Sequence, residues 1–322
     1  MNDIRNVTLL DTSIGSANLG DSIIVEAVLA EFPELASATR LGTHNFWGLK
    51  NLRAAKRSQI SLLTGTNALS SFVYPPTPWR LGPLEVFSLI KKVVIVGAGW
   101  RKYEQEISAF QQGVYRAILH PDLPISVRDC YSDLKFKRSG MDSIYTGCPT
   151  MWSLGPATSA LSDEEDVVLT LTDYSRHPET DQFLLDNLAL RFKRVHFWPQ
   201  GFGDEEYLKS LSVPSNLRIL PRSLLSLNES LLRASYVGTR LHAGVRAAQL
   251  QVPSLVIGID NRAVEIGRDT NFPVLDRSKV FENLHSAIDS LSQKREIVMP
   301  HDSISNFKKI VTNKLCEIGG ES

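Results

Sequence analysis

The sequence predicts an α/β protein built as two Rossmann-like domains facing each other across a cleft, and three observations predict it. Short apolar runs alternate with helical periodicity along most of the chain, the pattern of parallel strands joined by crossover helices. The apolar runs repeatedly end in Gly, Thr, Ser, Asn or Asp, as at Asp11-Thr12-Ser13, Thr64-Gly65-Thr66-Asn67 and Gly97-Ala98-Gly99. One sheet edge is therefore a ligand-facing rim, as in open α/β sheets generally. The alternation breaks at the small, polar stretch 153–165 and then starts again. With 322 residues there is room for two such domains, each with its own core. The expected division is 1–155 and 156–322, the last helix packing back on the N-terminal domain.

In order, Val7 to Leu10 reads as a buried strand, followed by the loop Gly15 to Ser22 and a helix from Ile23 to Phe32. Asp21 or Ser22 is the expected N-cap and Pro33 the stop. A glycine-containing loop between a first strand and a first helix allows close backbone approach to a ligand, although this one has neither Walker nor dinucleotide spacing. Residues 40–57 read as a loop and a basic helix, and Ile60 to Leu63 and Val93 to Val96 as further strands. Between them, Tyr74 to Arg80 carries three prolines and is expected to be irregular. A helix over 104–119, a strand ending at Val127, a helix from about Ser132 and a strand at Ile144-Tyr145 complete the first half. The second half reads as strands at Val167 to Leu171, Val195 to Trp198, Leu217 to Leu220, Tyr236-Val237 and Val252 to Ile259. Helices are expected at 179–190, after Arg240, at 280–291 and at 304–318. Two such halves form the architecture called GT-B-like, after the two-domain glycosyltransferases.

Composition narrows the function. Lys+Arg 35 against Asp+Glu 35 leaves no net charge, so a broad nucleic-acid footprint is not expected and any anion site must be local. Three unpaired-looking cysteines, Cys130, Cys148 and Cys316, argue against a disulfide framework. The seven histidines are scattered, with no His-x-x-x-His pair, and no metal site is expected. No signal peptide and no membrane-spanning run is apparent, which makes the cytoplasm the expected location.

The most informative stretch is residues 236–262, read as strand, turn, helix and strand. Gly238-Thr239 forms the turn, Arg240 and His242 stand where strand gives way to helix, and Ala243, Gly244, Ala247 and Ala248 let that helix lie close to a sheet. A helix start presents unpaired N–H groups and a partial positive charge, so an anion is expected there. Arg176, at the end of a neighbouring strand, supplies a second guanidinium, and an imidazole nearby can act as acid or base. The alternative left open is structural: Arg240 pairs with an acidic neighbour and His242 caps the helix. Asp11, Asp21, Asp129 and Asp173 are candidate bases, Asp129 also reading as an ion-paired cap; no carboxylate pair has glycosidase spacing.

Taken together, these segments resemble the polysaccharide pyruvyl transferase family over nearly the whole chain. The resemblance is carried by Asn18-Leu19-Gly20-Asp21, Gly97-Ala98-Gly99, the run Ser126 to Ser132 with Arg128-Asp129, and Gly147-Cys148-Pro149-Thr150. In the second half it is carried by Arg176, Arg240-Leu241-His242 and Val252-Pro253 leading to Asp260-Asn261-Arg262. It implies transfer of a pyruvyl group from phosphoenolpyruvate to two sugar hydroxyls as a ketal, with release of phosphate and no cofactor. Arg176 and Arg240 would grip the donor, with Gly238, Thr239 and the Leu241 backbone around it, and His242 would act on it. Asn18, Gly20, Asp21, Asn67, Gly97, Gly99 and Arg128 fall on the cleft or acceptor side. The acceptor is expected to be a saccharide or lipid-linked saccharide, with peripheral association to membrane biosynthetic machinery. This chain departs from the family in Ala98 within the glycine run, in Trp100 after it, in Arg262 where many relatives have Lys, and in Cys148 where some have Asp. A nucleotide-sugar-dependent glycosyltransferase and a non-catalytic glycan-binding relative are the alternatives.

Overall fold

The structure, a computed structural model, describes residues 6–73, 79–155 and 165–320. Most of the proline-rich loop at 74–80, expected to be irregular, and most of the 153–165 linker lie outside the described residues. The chain forms two compact units. Unit 1 comprises Met1–Ser16, Asp21–Trp152 and Met299–Ser322, and unit 2 comprises Ala17–Gly20 and Ser153–Val298. Relative to a cut at 155, the C-terminal helix belongs to unit 1 and four residues of the first loop and helix start belong to unit 2.

Unit 1 runs β1 (Val7–Asp11), α1 (Leu19–Glu31), β2 (Thr39–Gly42), α2 (Leu49–Arg57), β3 (Ile60–Thr64), α3 (Pro83–Ser88), β4 (Val93–Val96), α4 (Ala109–Ile118), β5 (Ile125–Val127), α5 (Cys130–Arg138) and β6 (Ser143–Tyr145). The sheet order is β2-β1-β3-β4, all parallel, with Leu9 of β1 level with Arg40 and Leu62. Strands β5 and β6 form a second parallel pair, bridged to the chain just after β4 by Ala98 and Val127. Strands β1, β3 and β4 are buried along their whole length, as expected where helices cover both faces.

Three local expectations need correction. Strand β2 was read as loop because only Leu41 of its four residues is buried; as an edge strand it carries no apolar run. Helix α1 starts at Leu19, ahead of the expected caps, since the Asn18 side-chain oxygen accepts the Gly20 N–H (3.0 Å). Asp21 instead accepts hydrogen bonds from Ser16 (2.5 Å) and Thr66 (3.0 Å). The helix read over 104–119 is shorter, because Ser108 caps it by accepting from Gln111 N–H. Asp129 does cap α5, through the Ser132 N–H.

Unit 2 runs β7 (Asp166–Thr170), α6 (Pro178–Arg191), β8 (Arg194–Phe197), α7 (Asp204–Lys209), β9 (Leu217–Ile219), α8 (Leu224–Leu231), β10 (Ser235–Gly238), α9 (Leu241–Gln249), β11 (Ser254–Gly258), α10 (Asn261–Thr270), β12 (Val274–Asp276) and α11 (Val280–Asp289). Its parallel sheet has the order β12-β11-β10-β7-β8-β9. The chain lays strands outward on one side of β7 and then, from β10, on the other. The boundary between β7 and β10 is therefore the topological switch point, where a crevice opens beyond the carboxyl ends of the strands. Helix α9 lies against this sheet through Gly244: a Cβ there would come within 2.5 Å of Val256 and 2.9 Å of Tyr236. After unit 2 the chain ends in α12 (His301–Gly320), whose Phe307 packs edge-on against Phe32 and Trp152 in the unit 1 core.

Candidate functional site

At the switch point the ends of β7 and β10 are stitched by side-chain hydroxyls. Thr239 and Thr172 share a 2.8 Å hydrogen bond, and the Arg240 N–H donates to the Thr170 hydroxyl (3.1 Å). The buried Tyr236 hydroxyl donates to the Arg240 carbonyl (2.7 Å) and is 2.6 Å from the Thr170 oxygen. Burial pushes the Tyr236 phenol well above its ordinary range, so it remains a neutral donor. Gly238 permits this approach, since a Cβ there would stand 2.4 Å from the Thr170 hydroxyl and 2.6 Å from its backbone nitrogen.

This stitching fixes the turn that carries Arg240, Leu241 and His242. The Arg240 guanidinium is buried and held by carboxylates: Nε donates to Asp204 Oδ2 (3.1 Å), while Nη2 donates to Asp204 Oδ1 and to Asp173 Oδ1 (3.2 Å). Its face lies 5.0 Å over the Tyr174 ring. Asp204 is itself fixed by the N–H groups of Asp173 (3.1 Å), Gln200 (3.1 Å) and Gly201 (2.7 Å). Gly201 and Gly203 leave room for the cluster, because a Cβ on either would fall within 2.5 Å of Arg240 Nη2 or Asp173 Oδ2. Burial and the neighbouring Asp204 raise the Asp173 carboxyl above its ordinary value, against the opposing pull of Arg240.

Of the two descriptions the sequence left open for Arg240, the ion-paired one matches its geometry, and the partner is Asp204, which the sequence did not single out. His242, by contrast, is not the cap. Arg240 occupies the N-cap position of α9 without a side-chain capping bond, and His242 is buried in the first turn. Its Nδ1 lies 3.2 Å from the point where a Cβ on Gly20 would stand, and the same point is 2.7 Å from Gln200 Nε2 and 3.1 Å from Asn18 Oδ1. Gln200 donates to Asn18 (2.6 Å) and its carbonyl accepts the Leu19 N–H (3.1 Å), so unit 2 gathers Asn18, Gly20, Gln200 and His242 in one place. Arg176 is exposed at the end of the same β7 loop; its Nε donates to the Asp173 carbonyl (3.0 Å) and its guanidinium lies 5.2 Å over the Tyr207 ring. Arg262, after β11, donates to Asp260 (3.0 Å) and to the Tyr174 hydroxyl (3.4 Å).

In unit 1 the expected residues also converge, around Arg128. That buried side chain donates to Asn67 (2.7 Å), the Trp100 carbonyl (2.7 Å) and Asp129 (3.0 Å). Gly99 is glycine because a Cβ would sit 2.6 Å from Arg128 Nε, and Gly97 because its φ is +63° and Pro149 Cδ would be 2.3 Å away. Arg128 thus clamps the chain just past the ends of β3, β4 and β5 from within.

The residues overlooked in the sequence are Asp204, Gln200, Tyr174 and Tyr236. For Asp204 the available signal was the Gly201-Phe202-Gly203-Asp204 run, an acid just past a strand end and preceded by two glycines. Among the described residues no group of three or more His, Cys, Asp or Glu is gathered as a metal site, and no helix is long and apolar enough to cross a membrane.

The fold and this sheet-edge site define a GT-B-like α/β protein. No protein-family model and no curated protein matches the sequence. Among solved structures, the chain resembles the UDP-GlcNAc 2-epimerase of Methanocaldococcus jannaschii in complex with UDP-GlcNAc and UDP, at TM-score 0.57 and 12% identity over 95% of this chain and 99% of that one. It also resembles a putative UDP-N-acetylglucosamine 2-epimerase of Listeria monocytogenes, at TM-score 0.56 and 11% identity over 97% and 96% of the two chains. At such identities the likeness establishes the shared two-domain fold.

Proposed function

We propose that this chain is a carbohydrate-active transferase whose donor is the compact anion phosphoenolpyruvate, and that it places pyruvate on a saccharide as a ketal. The observation that supports it is the Arg240-Leu241-His242 turn at the switch point. The first helical bond of α9 that follows it runs from Gly244 N–H to the Arg240 carbonyl (3.2 Å), so the N–H groups of Leu241 and Ala243 precede the helical ladder, at the helix end whose partial positive charge attracts an anion. Asp204 keeps a two-point hold on Arg240, while Asp173, 29% exposed and with its carboxyl pushed up, is the partner that an anionic donor displaces. Arg176, exposed on the adjoining loop, supplies a second cation.

Chemically, His242 donates a proton to the donor methylene, and the adjacent carbon becomes oxocarbenium-like. One sugar hydroxyl adds to that carbon and gives its proton back to His242; the carbon–oxygen bond to phosphate then breaks, phosphate leaving with the electron pair, and the second hydroxyl adds to the same carbon to close the ketal as its proton passes to the departing phosphate. Gly238 and Thr239 set the turn, and Leu241 contributes its backbone N–H. A nucleotide-sugar-dependent reaction is the second reading, favoured by the fold shared with an epimerase crystallised with UDP-GlcNAc and UDP. Incubation of the pure protein with phosphoenolpyruvate and candidate glycans is expected to release phosphate, and Arg240→Ala or His242→Ala to abolish it. Full activity in both variants would overturn the site assignment, and turnover of UDP-sugars without use of phosphoenolpyruvate would establish the second reading.

A further inference from the structure

On unit 1, far along the chain from the turn just described, the segment from Phe46 to Lys92 contains seven Lys or Arg and a single acid, Glu85, in a chain of zero net charge. Glu85 offers no surface charge: it is buried, and its carboxylate accepts the N–H groups of Trp47 (2.8 Å) and Gly82 (3.0 Å). Four of the cations, Lys50, Arg53, Lys56 and Arg57, are exposed on α2, which carries no acid.

The same surface is unusually apolar. Phe46 (63% exposed), Leu49 (71%), Leu84 (63%), Phe87 (60%) and Phe110 (72%) all leave most of their side chains in solvent. Cations and apolar side chains are interleaved. Lys56 Nζ lies 5.3 Å over the Phe87 ring, and Lys92 reaches back to donate to the Ala55 (3.2 Å) and Lys56 (2.6 Å) carbonyls. Burial, and then the charge of Lys56, lower the Lys92 pKa. Helix α3 places Leu84 and Phe87 three residues apart, on one face.

Beside α3 unit 1 contains a cavity of about 280 Å³, lined by Val86 of α3, Phe110 and Val114 of α4, and Phe72, Trp79 and Leu81, among others. Its polar lining is Ser70, Gln111 and Tyr115, and the Tyr115 hydroxyl is engaged by Ser70, accepting its N–H (3.0 Å) and donating to its carbonyl (2.9 Å). Most of the other lining side chains are apolar, which suits hydrocarbon.

We infer that the α2–α3 face of unit 1 docks on a bilayer bearing anionic phospholipid headgroups, with the exposed Phe and Leu side chains inserted at the headgroup boundary and the cavity receiving part of an acyl or prenyl chain. Basic residues alone would suit any polyanion. Their interleaving with exposed Phe and Leu, with a largely apolar cavity beside α3, selects a lipid surface, because such a surface offers charge and apolar depth together. The inference stands independently of the reaction assigned to unit 2.

The test is sedimentation of the full-length protein with vesicles of phosphatidylcholine alone and of phosphatidylcholine mixed with phosphatidylglycerol, at low and high salt. Binding is expected only to the anionic vesicles and is expected to weaken with salt. Lys50→Ala with Arg53→Ala should weaken it by roughly fivefold per residue removed. Leu84→Ser with Phe87→Ser should weaken it in a way that raised anionic lipid does not restore. Circular dichroism melting confirms that both variants are folded. Three results would each overturn the inference: no binding to anionic vesicles, binding unchanged in both folded variants, or displacement of the protein from vesicles by a single-stranded RNA of equal charge that it binds more tightly.

Discussion

Replacing Asp204 with Ala removes the group on which the switch-point cluster depends. Its carboxylate accepts two hydrogen bonds from the Arg240 guanidinium and three from backbone N–H groups, and the side chain is fully buried. Losing one member of a buried ion pair costs about 3–5 kcal/mol, because the surviving charge stays out of water. Asp173 offsets part of this, since it still touches Arg240 at 3.2 Å, so the lower end of that range applies. For a unit of this size, about 3 kcal/mol corresponds to a melting point lowered by on the order of 10 °C. Thermal unfolding followed by circular dichroism reads this directly. Arg240→Ala in the Asp204→Ala background is expected to cost less than in the parent chain, by up to about 3 kcal/mol of coupling. A loss below about 1 kcal/mol for Asp204→Ala, or strict additivity of the two substitutions, would refute the claim that this pair holds the turn.

Other expectations concern the same edge. Asp173 has a folded-state pKa above its ordinary value of 3.8, so the stability it contributes is full below 3.8 and is lost as pH rises through the raised value. Asp173→Asn should flatten the melting-point profile in that window, and a profile identical to the parent would remove Asp173 from the cluster. The same variant should lower the KM for phosphoenolpyruvate, because a displaceable anion has been removed; a raised KM would show instead that Asp173 helps to hold the donor. Gly238→Ala is expected to destabilise the chain by about 1–3 kcal/mol or more, since the new Cβ would stand 2.6 Å from a backbone nitrogen that cannot move aside, and denaturant titration reads the loss. Gly20→Ala presses on Gln200 Nε2 at 2.7 Å, the end of a flexible side chain, and should lower kcat with little change in melting point.

Most of the strands were legible because each is a buried, branched apolar run with a polar stop. Val93 to Val96 and Ile60 to Thr64 are examples, covered on both faces and therefore free of alternation. Edge elements were not legible for the converse reason: β2 has one buried residue, and α10 spreads Arg262, Glu265, Arg268 and Asp269 along its length so that its apolar face is thin. In the site, Arg240 and His242 were visible because they stand at a strand-to-helix turn, a feature local in sequence. Asp204 was not, because its importance comes from Arg240, 36 residues away, and only the sheet order brings the ends of β8 and β10 to either side of β7. Arg128 was visible for the same local reason, its position just after a strand, but the groups that hold it, Asn67 and the Trp100 carbonyl, come from other strand ends and could not be read as its partners.

The central claim, that the α9 turn takes a compact phosphorylated carboxylate, is tested most directly by thermal shift of the intact protein with phosphoenolpyruvate against UDP-GlcNAc and UDP. Phosphoenolpyruvate at about a hundred times its dissociation constant should stabilise the protein by about 2.7 kcal/mol, a rise of several degrees. That rise should vanish in His242→Ala and Arg240→Ala, with no comparable rise from the nucleotides. A rise with UDP-GlcNAc or UDP and none with phosphoenolpyruvate would contradict the account.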